Sequence, residues 1–497
     1  MRKLFLFFLL TLVANSGFAK RHLYKKHHIV NKVLKEIVND TVFKPGTLGF
    51  FAIDSKTGQI IARHDADKSL RPASNLKLLT TATALDLYGP DYRFQTFLGY
   101  TGTLDTVRHI LHGNIVIKGG GDPTLGSKYF DETKGHQFLT KWVQAVKALG
   151  IDSVEGAVVA DARIFSRDIV PVSWSWTNTG TYYGAGASGI SIYDDYYTLY
   201  LDTDSIPGDT AVIDSIVPRV PGLVFDNGIT ADTVSDDESN ILGTMYCNQR
   251  YLRGKLPFNE KGISEKGSLP DPAWFAAYEL SRVLKENGIQ QMERPTTVRR
   301  LQKEGLFNDR PVHIIDTVFS PTLGEIVNKT NTYSINLFAE HLLDLCGLKL
   351  IGVAQTEQDA EAVEAYWKEK GMDTRGMNLT DGSGLSQYDG ITPRQIAFVL
   401  QYMKQKDSLF TVYYQSLPLA GSEEGTLEGM FKESPALGNL RAKSGTIDRV
   451  KSYSGYVKSK SGRDIIFSML ANSFSCKSRE AKARLERLMD ALAKLKK

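Results

Sequence analysis

Ser74-Asn75-Leu76-Lys77-Leu78-Leu79-Thr80-Thr81-Ala82-Thr83-Ala84-Leu85-Asp86-Leu87-Tyr88-Gly89-Pro90 is the stretch on which the reading of this chain turns. Leu76, Leu78, Leu79, Ala82, Ala84 and Leu85 leave it almost no polar face, which predicts a helix from about Ser74 to Tyr88 buried inside a domain. Gly89 and Pro90 end it in the expected order, a C-terminal glycine and then a helix breaker. The first turn carries the only S-x-x-K of the chain. Residues three apart share a helix face, so Lys77 Nζ can reach Ser74 Oγ. A serine hydroxyl is a weak nucleophile until a neighbour takes its proton. A lysine does that only when neutral, and lowering its pKa of about 10.4 by ~3 units costs ~4 kcal/mol, which burial and nearby positive charge can supply. The helix start adds free backbone N–H groups and a positive dipole end, both useful to an oxyanion. By itself the motif arises easily by chance, and Ser74 reads equally well as a helix cap.

Two further motifs follow it. Ser334-Ile335-Asn336 is the only S-x-N, offering a hydroxyl to relay a proton and an amide to bind a peptide carbonyl. Alone it would be a polar turn beside a helix. K-[ST]-G occurs three times, at Lys56-Thr57-Gly58, Lys443-Ser444-Gly445 and Lys460-Ser461-Gly462. The first precedes Ser74 and the last sits at a hairpin tip, so both read as turns. Lys443-Ser444-Gly445-Thr446 suits a strand lining a cleft, where glycine lets a substrate backbone approach. There Lys443 can attract a carboxylate that Ser444 and Thr446 hydrogen-bond.

Around these motifs the 497 residues suggest about three domains. Composition is that of a globular protein, 42% hydrophobic and 23% charged, with no sign of disorder. Arg2 and Lys3, the apolar run Leu4 to Val13, and Gly17 and Ala19 form a targeting segment expected to be cleaved before Lys20. Ten apolar residues are too few to span a bilayer. Cleavage lowers the formal net charge from +4 to +2, too small to argue for nucleic acid. Three distant cysteines make no disulfide framework, and at most one pair could bridge. No H-E-x-x-H is present, so no metal is expected.

Strands are expected at Leu48 to Ile53 and Gln59 to Arg63, then an α+β region from about Arg93 to 300 containing strands at 93–101, 108–118 and 154–160. A helix within Glu325 to Leu345, another at Ile391 to Met403, and a hairpin of 452–457 with 464–470 precede a C-terminal helix. That helix has an apolar stripe of Ala481, Leu485, Leu488, Leu492 and Leu495. It is expected to pack on the adjacent sheet, its basic face leaving membrane contact open. N-terminal strands and the C-terminal hairpin can share one sheet, which makes the middle an insertion. The expected division is 1–19 targeting segment, 20–92 and 301–497 catalytic domain, and 93–300 insertion.

S-x-x-K, S-x-N and K-[ST]-G in that order resemble the signature set of penicillin-binding proteins and serine β-lactamases. The resemblance sharpens toward the D-alanyl-D-alanine carboxypeptidase/endopeptidase family, the class C low-molecular-mass penicillin-binding proteins. Those members carry a large insertion between the first two motifs, and here 260 positions separate Ser74 from Ser334. The chain is also similar to them at Gly120 to Leu125 (GGDPTL), Asp381 to Ser386 (DGSGLS), and Leu419-Ala420-Gly421 with Gly425-Thr426-Leu427.

The resemblance implies an α/β (α+β) fold, a transpeptidase-like domain with an antiparallel sheet flanked by helices, plus the inserted α+β region. It implies that Ser74 attacks the D-Ala-D-Ala carbonyl of a peptidoglycan stem peptide and that water hydrolyses the acyl-enzyme, with β-lactams as covalent inhibitors and no cofactor. Lys77 would be the base, and Ser334 and Asn336 would assist. Lys443, Ser444 and Thr446 would hold the terminal carboxylate beside Gly445, and the N–H groups of Ser74 and Thr446 would bind the oxyanion. Asp161, ending an apolar strand, is a candidate contact for the amine of a stem-peptide side chain, although a strand-terminal turn residue is the plainer reading. Ser444 replaces the usual threonine, and Gln387 stands where members often have arginine, which puts a charge clamp on the stem in doubt. A serine β-lactamase and a non-catalytic peptidoglycan-binding protein are the rival readings; a Ser-His-Asp hydrolase lacks its G-x-S-x-G. The implied location is the periplasm or cell envelope.

Overall fold

A computed structural model describes residues 28–496; the targeting segment 1–19 lies outside them. The two ends of the chain meet in a five-stranded antiparallel sheet, ordered Arg441–Ile447, Val450–Lys458, Asp464–Asn472, Thr47–Asp54, Ile60–His64. Strand Thr47–Asp54 lies in its interior, paired from Thr47↔Asn472 to Asp54↔Ile465. Every residue after Thr47 in this strand is buried, because both faces of the sheet are covered. Side chains alternate between the two faces with the period of two that a pleated strand imposes. Leu48, Phe50 and Ala52 join Val30, Leu34 and Ile37 of the N-terminal helix His28–Val38, and Leu485, Leu488 and Leu492 of the C-terminal helix Ser478–Ala493. Phe51 and Ile53 instead face Leu78 and Leu79 of the helix Lys77–Tyr88 and Ile396 and Leu400 of Pro393–Lys404. The apolar stripe of the C-terminal helix is thus spent on the sheet. No helix among the described residues is long and apolar enough to cross a membrane.

The inserted region has its own core, built around Leu98, Ile115, Trp142, Phe275 and Leu280. Its main sheet runs Gln290–Gln291, Ser153–Val154, Ile110–Lys118, Gln95–Asp105, His313–Phe319, and two three-stranded sheets accompany it. Two details differ from the sequence expectation. The last strand, His313–Phe319, pairs with Gln95–Asp105, so the insertion's sheet extends past 300. The pairing is long-range, and a short strand after a polar stretch carries no local sign of its partner. The segment read as one strand over 154–160 is two, Ser153–Val154 and Val158–Asp161, separated at Glu155-Gly156-Ala157.

Candidate active site

Ser74 stands in a 3₁₀ turn, Ala73–Leu76, that leads directly into the α-helix Lys77–Tyr88. Neither helix start has a side-chain cap, so Ser74 is not used as one. Its Oγ lies 3.0 Å from Lys77 Nζ. Lys77 is fully buried, and its Nζ also donates to Asn336 Oδ1 at 2.7 Å and to the Ser383 carbonyl at 2.8 Å. Three acceptors match the three donors of an ammonium, so every proton has a place. Ala73, immediately before, has φ 48, a left-handed conformation costly for a residue with a Cβ. The turn is held from outside: Asn75 Nδ2 donates to Ser452 Oγ at 2.7 Å and to the Lys443 carbonyl at 3.2 Å, and Ser452 Oγ donates to the Pro72 carbonyl at 2.6 Å.

Those contacts select among the three K-[ST]-G candidates. Lys443-Ser444-Gly445 lies on the edge strand Arg441–Ile447, facing the Ser74 turn. A Cβ on Gly445 would sit 2.8 Å from Ser74 N and 2.9 Å from Pro72 O, so only glycine lets strand and turn approach this closely. Gly58 and Gly462 have open space around them and positive φ, as turn glycines do. Lys443 Nζ donates to Ser334 Oγ at 2.9 Å and to the Ser444 carbonyl at 2.8 Å.

The segment expected to hold a helix within 325–345 contains two, Leu323–Tyr333 and Asn336–Leu350, broken at Ser334. Ser334 has φ 61 and ψ 39, which ends the first helix and brings the Ser334 hydroxyl to Lys443 and the Asn336 amide to Lys77. The other end of that amide, Nδ2, donates to the Tyr183 carbonyl at 2.8 Å. Tyr183 belongs to the short turn Tyr182–Gly184 of the inserted region. The insertion therefore fixes which way Asn336 points.

Burial lowers the pKa of both lysines. Lys77 is pushed down to about 8 by desolvation, with Asp381, Glu340 and Asp389 pulling the other way. Lys443 is held well below the ordinary lysine range by burial, with Lys77 and Lys451 adding repulsion. Burial in turn holds the Glu340 and Asp389 carboxyls well above the carboxylate range.

A cavity of about 380 Å³ opens on Ser74, lined among others by Asn336, Thr446, Tyr182, Leu385, Gln387 and Asp448. Ser74, Lys77, Ser334, Asn336, Lys443, Ser444, Gly445 and Thr446 are thereby brought together. Asp161 is not among the residues lining this cavity: Arg163 grips its carboxylate in a fork, Nε to Oδ1 and Nη2 to Oδ2 both at 2.8 Å, and it lines a separate cavity in the insertion. Sequence reading missed the Ser383 and Tyr183 carbonyls, since a backbone acceptor has no residue-type signature. It noted DGSGLS without a role. Asp381 folds that segment into a loop, accepting from Gly384 N at 2.7 Å, Ser386 N at 2.8 Å and Trp174 Nε1 at 2.8 Å, which presents the Ser383 carbonyl to Lys77. A Ser–His–carboxylate array does occur elsewhere: Ser191 Oγ lies 2.9 Å from His341 Nε2 and 2.5 Å from Asp195 Oδ2. All three are buried outside the Ser74 cavity, and desolvation pushes His341 down to about 4, so it ties the insertion to the helix Asn336–Leu350.

The profile of the D-Ala-D-Ala carboxypeptidase 3 (S13) family matches residues 30–495, and the chain belongs to that family. Among curated relatives, a D-alanyl-D-alanine carboxypeptidase of an Actinomadura species is 26% identical over 450 residues, covering 88% of this chain and 80% of the relative. D-alanyl-D-alanine carboxypeptidase DacB of Haemophilus influenzae is 24% identical over 442 residues, covering 88% of each. The crystal structure of penicillin binding protein 4 from Haemophilus influenzae superposes with a TM-score of 0.79 at 21% identity, covering 93% of this chain and 98% of that one. The same protein is known in complex with a β-lactam.

Proposed function

We propose that Ser74 is the nucleophile through which this serine-type D-Ala-D-Ala carboxypeptidase acts on peptidoglycan stem peptides. Neutral Lys77 takes the Ser74 proton as Oγ attacks the penultimate D-Ala carbonyl, and N–H groups of Ser74 and Thr446 receive the negative charge on its oxygen. Collapse expels the terminal D-Ala, whose amine takes up a proton through Lys77 or Ser334. Water then hydrolyses the ester at Ser74 and restores the hydroxyl. Asn336 orients Lys77 and binds the peptide, while Lys443, Ser444 and Thr446 hold the terminal carboxylate. With a cross-linked stem as the leaving amine, the same step is an endopeptidase reaction. The observation that carries the reading is the buried Lys77 amine, hydrogen-bonded at once to Ser74 and Asn336. Purified muropeptides and mass analysis test it: loss of one D-Ala from pentapeptides is expected, separation of dimers would add the endopeptidase activity, and intact substrate would refute both.

The catalytic domain is assigned to 20–92 plus the chain after Phe319, with the insertion from about 93 to Phe319. Cleavage before Lys20 would deliver the mature protein to the periplasm or cell envelope. N-terminal sequencing of envelope protein that returned Met1 would overturn this placement.

A further inference from the structure

Lys451 belongs to none of the three motifs. It stands on Val450–Lys458 directly opposite Thr446, and its Nζ donates to Thr446 Oγ1 at 2.7 Å. An ammonium can only donate, so the hydroxyl oxygen must accept here and its single hydrogen is left for another partner. Thr446 lines the Ser74 cavity, where that hydrogen can meet a substrate acceptor. We propose that Lys451 is a positioning residue that aims the Thr446 O–H at the substrate's terminal carboxylate. The proposal rests on the Ser74 acyl-enzyme reading.

Among the described residues Lys451 forms no ion pair, although Asp448 lines the same cavity as Thr446. Lys482 faces it from the C-terminal helix, Lys443 from the edge strand, and the Tyr453 ring on its own strand lies with its centroid 5.9 Å away, with Glu486 beyond that ring. Burial and Lys482 hold Lys451 down to about 8. Above that pH the amine becomes neutral and can itself accept, so the Thr446 hydrogen is free to turn toward Lys451 and away from the cavity. Carboxylate recognition should therefore weaken as pH rises through about 8.

Benzylpenicillin and its methyl ester differ only in this carboxylate and both carry the reactive ring. Second-order acylation rates are measured for wild type, Lys451→Met and Lys451→Arg across the pH range, with end-point labelling counting competent sites. The Met variant is expected to lose about tenfold on the acid and less than about twofold on the ester. The acid-to-ester ratio of wild type should fall above about pH 8, and Lys451→Arg should keep it level, because guanidinium stays protonated. Equal losses on both compounds, an unchanged ratio in the Met variant, or the same limb in the Arg variant would overturn the proposal. Absence of any labelling in wild type would instead sink the acyl-enzyme reading beneath it.

Discussion

Lys77 and Lys443 are both fully buried, and each donates to a serine hydroxyl, yet their surroundings are opposite. Lys77 has three acceptors and acidic groups nearby, Asp381 foremost, that oppose the effect of burial, and it is brought down to about 8. Lys443 has two acceptors, and burial together with Lys77 and Lys451 nearby holds it well below its ordinary range. A cationic group kept in place without a counter-ion costs stability unless something supplies the missing charge. The first lysine is suited to exchanging a proton near neutral pH. The second is suited to attracting an anion, in keeping with its proposed role toward the terminal carboxylate of a stem peptide.

The comparison breaks in a definite order. Ser74→Ala should abolish both penicillin labelling and peptide turnover, read by gel fluorescence and product analysis. Lys77→Arg keeps the charge but loses the removable proton, so acylation should fall by about 10²–10⁴-fold in stopped-flow measurements. Near-normal acylation would remove Lys77 from the role of base. Gly445→Ala forces the edge strand off the Ser74 turn, and misplacement of about 1 Å can cost about 10²-fold in rate. Lys443→Gln leaves Ser74 and Lys77 in place, so the loss should be about 10- to 100-fold and fall mainly on KM for substrates with a free carboxylate.

The pH profile sharpens the same contrast. The pKa of Lys77 is depressed from its ordinary 10.5 to about 8, so the neutral base is scarce below that value and complete above it. Acylation of the methyl ester, which takes carboxylate recognition out of the measurement, should rise about tenfold per pH unit and level off above about 8. A rate that falls through this window would have the sign wrong. The smallest effect concerns the insertion. Gly184→Ala would press a Cβ to within 2.0 Å of the Asn178 carbonyl and shift the Tyr183 carbonyl that holds Asn336. A several-fold loss is expected in penicillin acylation as well as in peptide turnover. A loss confined to peptide would mean that the turn only recognises substrate.

How much of this was legible in sequence depended on range. The buried helix after Ser74, the strands near the two ends of the chain and the three motifs are local patterns of period, spacing and residue type, and they name the strands and side chains of the site. The break at Ser334 was hidden because the residues on both sides continue a helical pattern, and only a left-handed residue marks the stop. The Ser383 and Tyr183 carbonyls were hidden because any residue supplies one. Lys451 was hidden because its partner is set by strand register. Asp161 illustrates another limit: its pairing with Arg163, two residues along, was not read from the sequence.

The central claim is that one hydroxyl, Ser74 Oγ, becomes the acyl carrier. Peptide mapping of the protein after reaction with benzylpenicillin tests it most directly. A single penicilloyl group on the peptide containing Ser74, absent from Ser74→Ala, is the predicted result; an adduct on any other residue, Ser334 or Ser191 included, would contradict it.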